Sequence, residues 1–207
     1  MMNKSPDTKL VDVLSRHYSE TFDQLKEVVA RRDRLFLYIL FVIFILLLYM
    51  SSPAIMSDWV NSFFSSKVTG SSDTTMQPLV DVSVIGVTLL LALLSFTHTY
   101  FQTVLHVERQ YDYVYQLEKQ LSVFFDDKAF IREGKHYRNH KRRFSSWTKV
   151  IFWYLFPCLY LLFIVFLLGF LFTTSQTPVG YKVVDSLITI SIIISMCLYL
   201  MAIIKKK

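Results

Sequence analysis

Four long apolar runs without a charge at their centres decide what this chain can fold into. They are Leu35 to about Met56, about Leu79 to Val104, Trp147 to Phe172, and Val183 to Ile204. A helix that crosses a bilayer needs about 20 mainly apolar residues, and each run meets that requirement. Hydrophobic residues make up 53% of the 207, above the 45–50% usual for a soluble domain. They sit in blocks instead of alternating with polar positions. The expected fold class is therefore all-α: a polytopic membrane protein with four transmembrane helices and long cytoplasmic extensions of the first and second.

The distribution of Lys and Arg orients the spans, because cytoplasmic segments retain the excess of positive charge. Residues 1–34 carry seven, 51–81 carry one, 105–146 carry nine, 173–182 carry one, and the tail 205–207 carries three. Rich and poor segments alternate as four spans with both termini in the cytoplasm require. The expected order is a cytoplasmic amphipathic helix at 1–34, first span 35–56, outer loop 57–78, and second span 79–104. A cytoplasmic helical region with a basic segment follows at 105–146, then third span 147–172, outer loop 173–182, fourth span 183–204 and tail 205–207. The first outer loop is rich in Ser and Thr and is expected to be thinly ordered, with Trp59, Phe63 and Phe64 at the outer interface. Pro157 is expected to kink the third span. The polar first 34 residues leave the first span as the targeting element.

Two of the helices are expected to continue past the membrane. Ser5 suits an N-cap and Pro6 the first helical position. No Gly or Pro occurs from Asp7 to Ser52, nor between Gly86 and Gly134. Val11, Leu14, Tyr18, Thr21, Leu25 and Val28 form a heptad-like seam on the first extension. Val107, Tyr111, Val114, Leu117, Leu121 and Phe124 form one on the second. The two could pair within one protomer as a small cap, or between protomers.

Polar residues within the spans are the candidates for function. Thr88, Ala92, Ser95, Thr99, Gln102 and His106 recur along one face of the second span, and Ser191 and Ser195 echo them on the fourth. Small and hydroxyl-bearing residues let membrane helices approach closely and hydrogen-bond. The stripe can serve packing inside the protomer, an oligomer interface or a pore lining. His98 is an ionisable group within a span, hence a functional candidate, or else a neutral hydrogen-bonded side chain. Asp185 is expected to be a solvated cap at the outer end of the fourth span. With no carboxylate deeper in the spans, a proton-coupled exporter is not expected.

The basic segment KHYRNHKRR contributes Lys135, Arg138, Lys141, Arg142 and Arg143. It can anchor to anionic lipid headgroups, dock an acidic protein surface, or contact nucleic acid through phosphate charge. Direct nucleic-acid binding is not the expected role. Cys158 and Cys197 both lie in apolar runs and are expected as small buried side chains, without a disulfide or zinc spacing. His136 and His140 lack acidic or thiol support for a metal. No phosphate-cradling glycine loop, catalytic triad or metalloprotease motif occurs, so no enzyme activity, cofactor or metal is expected. The outer loops hold neither Cys nor a glycosylation sequon, as suits a bacterial inner membrane.

The segment HYSETFDQLKEVVARRDRLFLYILF, residues 17–41, is a charged amphipathic helix feeding directly into a span. With the four-span layout it resembles the membrane subunit of the bacterial Kiwa antiphage defence system. The resemblance is one of layout along nearly the whole chain and assigns no functional residue. It implies a non-catalytic, homo-oligomeric inner-membrane sensor of phage infection that binds a cytoplasmic, DNA-binding protein. The seams and the basic loop would form the docking surface. The competing expectation is a pore-forming effector in which the second-span stripe lines a channel that depolarises the membrane.

Overall fold

The computed structural model describes residues 8–68, 81–124, 151, 155–173 and 178–205. Among them are five helices and no strand: α1 Thr8–Ser51, α2 Pro53–Val68, α3 Val82–Leu121, α4 Phe156–Thr173 and α5 Val179–Lys205. The fold is all-α, as expected. Helices α1, α3, α4 and α5 are each long and apolar enough to cross a membrane, with best-window mean hydropathies of 2.4, 1.8, 2.4 and 2.3. At about 1.5 Å per residue, the 44 residues of α1 and 40 of α3 make helices about 65 and 60 Å long.

The helix ends follow from local chemistry. Ser52 separates α1 from α2 because the residue before a proline avoids the helical region. The Ser52 carbonyl then accepts the Met56 amide at 3.2 Å, and Pro53, with no amide hydrogen to lose, occupies the first helical position. Asp81 caps α3. Its Oδ1 accepts the Ser83 amide at 2.9 Å, and its carbonyl accepts the Val84 amide at 3.0 Å. The Pro178 carbonyl accepts the Tyr181 amide at 3.1 Å and starts α5.

Two boundaries differ from the sequence expectation. Helix α1, which holds the first expected span, ends at Ser51, short of Met56, and the expected loop from residue 57 is helix α2 as far as Val68. Trp59 and Phe63, one turn apart, stack at 6.4 Å on its exposed surface. Pro157 lies buried in the first turn of α4, two residues after a π-helical Leu155. Residues 69–78 of the first expected loop, 79–80 of the second expected span, and 147–150 and 152–154 of the third lie outside the described residues.

The chain divides into two compact units, Met1–Arg34 with Phe101–Phe156, and Leu35–Tyr100 with Pro157–Lys207. In the second, four seams at alternating three- and four-residue spacing meet. Leu35, Ile39, Val42 and Leu46 come from α1, and Leu90, Leu93, Thr97 and Tyr100 from α3. Pro157, Tyr160, Ile164 and Leu167 come from α4, and Asp185, Ile188, Ile192, Met196 and Tyr199 from α5. The opposite faces are just as apolar and stay exposed, among them Leu37, Phe41, Phe44, Leu162, Phe166, Leu187 and Leu198. An apolar surface that continuous is incompatible with water and suited to lipid. The chain is a multi-pass membrane protein.

Gly86 belongs to the α3 seam and receives the Tyr49 side chain of α1. A Cβ at Gly86 would lie 2.9 Å from the Tyr49 hydroxyl oxygen and 3.2 Å from the ring carbon that bears it. Gly86→Ala is expected to lower unfolding stability by about 1–3 kcal/mol, the usual range for an overpacked core. Adding Tyr49→Phe removes the nearest of those atoms and should restore part of the loss. Unfolding of the two single variants and the double variant in detergent measures this coupling, and strictly additive losses would refute the close approach.

Candidate functional site

In the membrane-spanning unit, α3 has two contrasting faces. Ser83, Gly86, Leu90, Leu93, Thr97 and Tyr100 point inward. Val84, Thr88, Leu91, Ser95 and His98 point away from the protomer's own helices and are exposed. Of the stripe expected from the sequence, Thr88 and Ser95 thus lie on the outside of the unit, with Ala92 and Thr99 half-buried on its flank. Further along the same helix, Gln102 and His106 are exposed as well. Thr88 donates to the Val84 carbonyl at 2.8 Å and Thr99 to the Ser95 carbonyl at 2.9 Å, the local bonding that makes hydroxyls tolerable in an apolar setting. Ser191 on α5 is exposed too and bonds the Leu187 carbonyl at 2.8 Å.

The polar contact that does join helices inside the unit was missed by the sequence reading. Thr97 Oγ1 and Tyr160 Oη are 2.6 Å apart, both buried, joining α3 to α4. The available signal was register: Thr97 continues the buried series at 90 and 93, and Tyr160 the series at 157 and 164.

In the other unit, the start of α1 pairs antiparallel with the end of α3. Leu25, Val107 and Val114 form its centre, and Tyr18, Val28 and Val29 pack against them. The Tyr18 hydroxyl donates to Glu118 Oε1 at 3.2 Å, and His17 Nε2 lies 2.8 Å from the Tyr113 hydroxyl with the rings edge to face. The buried Thr21 hydroxyl returns to the His17 carbonyl at 2.7 Å. Two amphipathic faces are thus closed within a single protomer.

No family model, curated protein or solved structure matches this chain.

The remaining site residues can be placed individually. Of the expected seam, Leu25, Val114 and Leu121 are buried, Leu14 and Tyr18 are half-buried, and Tyr111 is exposed at 42%. The reason is register. Alternating steps of three and four from Val107 reach residue 110 before Val114 and Leu117, so Gln110 turns inward in place of Tyr111. Cys158 and Cys197 are both exposed, contrary to the expectation that they are core side chains. Asp185 is buried at 4% and its Oδ1 has no hydrogen-bond partner among the described residues, so it is not a solvated cap. Lys135, Arg138, Lys141, Arg142 and Arg143 lie outside the described residues.

Proposed function

We propose that this chain is a non-enzymatic, homo-oligomeric scaffold or sensor of a bacterial inner membrane. Both termini lie in the cytoplasm, and the protein passes a membrane or envelope event to a cytoplasmic protein partner. The observation that carries the reading is the outward face of α3. Thr88 and Ser95 are exposed on one face of a helix that is otherwise suited to lipid. Polar side chains at membrane depth favour a protein neighbour, since lipid offers them no hydrogen-bond partner. A second copy brings an identical face of small hydroxyl-bearing residues, which lets the two helices approach closely.

The paired ends of α1 and α3 supply the partner side of the reading. Their closed core leaves Tyr111, Tyr113 and Tyr115 exposed, and exposed aromatic side chains are favoured contacts at protein interfaces. The excess of Lys and Arg in residues 1–34 and 105–146 supports placing this region in the cytoplasm. The layout shared with the Kiwa membrane subunit supports a role in antiphage defence, with a DNA-binding protein as the docked partner.

Native mass spectrometry of the full chain from mild detergent tests the reading. Masses at integer multiples of 24.3 kDa are expected, and a protein that stays monomeric at every detergent-to-protein ratio rejects it. The second reading, a pore-forming effector, draws on the same outward face, because several copies could turn Thr88 and Ser95 toward a shared axis. Planar-bilayer recording of the purified oligomer separates the two readings. A silent bilayer favours the scaffold, and stepwise currents favour the pore.

A further inference from the structure

The end of α1 and the starts of α3 and α5 bring Tyr49, Asp81 and Asp185 within electrostatic reach, whether or not the chain self-associates. Asp185 sits seven residues into α5, on the same seam as Ile188 and Ile192, not on the helix rim. It is 4% exposed, and its Oδ1 is sealed from solvent without a hydrogen-bond partner among the described residues. Tyr49 of α1 lies within electrostatic reach of both Asp185 and the Asp81 cap of α3, and its hydroxyl is pressed against Gly86. The Oδ1 of this carboxylate has given up its water without a hydrogen bond in return, a state that buried charges avoid by pairing or by binding a proton.

Among the described residues, no neighbouring ionisable group provides a cation at Oδ1. Tyr49 faces Asp185 from α1 and Asp81 from the start of α3, and neither bears positive charge. On α5 itself, Tyr181 and Lys182 lie about one turn earlier, and Lys182 does not bond Oδ1. Asp58 of α2 is exposed, and the ionisable residues of α4, Cys158 and Tyr160, are at its other end. One carboxylate and a phenol are too few oxygens for a divalent cation such as calcium, which takes six to eight. No group of three acidic, His or Cys residues able to hold a metal occurs among the described residues.

We propose that Asp185 is a proton-binding site, which makes the packing of Tyr49 against Gly86 responsive to the pH of the compartment facing this end of the bundle. Uptake of one proton by Oδ1 neutralises the carboxylate and permits the closed packing. Loss of that proton places a negative charge between the helices, which then part to admit water or a counter-ion.

Infrared difference spectroscopy of the full chain in lipid nanodiscs, stepped between about pH 4 and 9, reads the proton directly. The expected result is a protonated-carboxyl C=O stretch that disappears as pH rises and is lost in Asp185→Asn. The half-buried or buried acids elsewhere, such as Glu118, make the difference between wild type and variant the deciding signal. Asp185→Ser serves if the Asn variant does not fold. A titrating band of equal size in the variant, or no such band in the wild type, overturns the proposal. Repeating the titration with sodium replaced by choline gives the second arm. A band that does not respond supports a proton site, whereas a carboxylate signal that responds only to sodium replaces the proton with a metal cation.

Discussion

Replacing Thr88, Ser95 and His98 together by Leu is expected to weaken self-association about 20-fold while leaving the protomer folded. The estimate uses about 0.6 kcal/mol for an average hydrogen bond between membrane helices, taken three times. That sum, about 1.8 kcal/mol, is about 20-fold in a dissociation constant at about 1.4 kcal/mol per factor of ten. The protomer should tolerate the change because all three side chains point away from its own core, and Leu is well suited to lipid and to helix. Energy transfer between labelled copies, diluted stepwise with lipid in vesicles, measures the association. Circular dichroism and thermal unfolding check the protomer. If the triple variant associates as the wild type does, this face of α3 is not the interface. If it unfolds, the three side chains have an internal role that their exposure argues against. Leu at the inward neighbours would give the opposite pattern. Thr97→Leu removes the 2.6 Å contact with Tyr160 and overfills a buried site, so it should harm the protomer first.

The contrast between those two sets shows what the sequence could and could not reveal. The number of apolar helices long enough to span was legible because a bilayer demands length and lack of charge, and both are local properties. Which side of a span faces its neighbours was not. In water an amphipathic pattern names the buried face, but lipid is as apolar as Leu, so that contrast vanishes within the membrane. Hence Cys158 and Cys197 read as core and are exposed, and the stripe beginning at Thr88 read first as internal packing and faces outward. Helix α2 was hidden for a different reason. Its Ser-rich composition suits a loop, and only Pro53 at the first position and the four-residue spacing of Trp59 and Phe63 mark it as a helix. Asp185 was legible in principle, since three- and four-residue steps back from Ile192 pass through Ile188 and Thr189 and arrive at 185. Its charge suggested solvent, and register, the stronger indicator, was overlooked. The same holds for Gln110 and Tyr111, where a seam allowed one irregular step put the wrong residue inside.

The second large effect concerns the paired ends of α1 and α3, where the ordinary amphipathic rule does apply. Leu25 is 2% exposed and packs with Val107 and Val114 at the centre of the pair. Leu25→Asp removes a buried aliphatic side chain, which costs about 2–5 kcal/mol by itself. It also places a carboxylate among apolar groups, and such an unpartnered charge adds further cost. The bonds from Tyr18 to Glu118 and from His17 to Tyr113 are partly or fully exposed and worth about 1 kcal/mol each at most. They cannot hold the pair against that penalty, so the helices should separate and their ends fray. Hydrogen exchange of the full chain in detergent detects this as lost protection in residues 15–30 and 107–121, with α4 and α5 unchanged. Protection lost equally in α4 and α5 would mean that the chain unfolds as one cooperative body and that the pair is not a separate unit. Protection retained throughout would mean that Leu25 does not anchor it. Binding of a cytoplasmic partner supplies a functional readout of the same variant. A docking surface built on the closed pair disappears when the pair opens, even though every exposed tyrosine is still present.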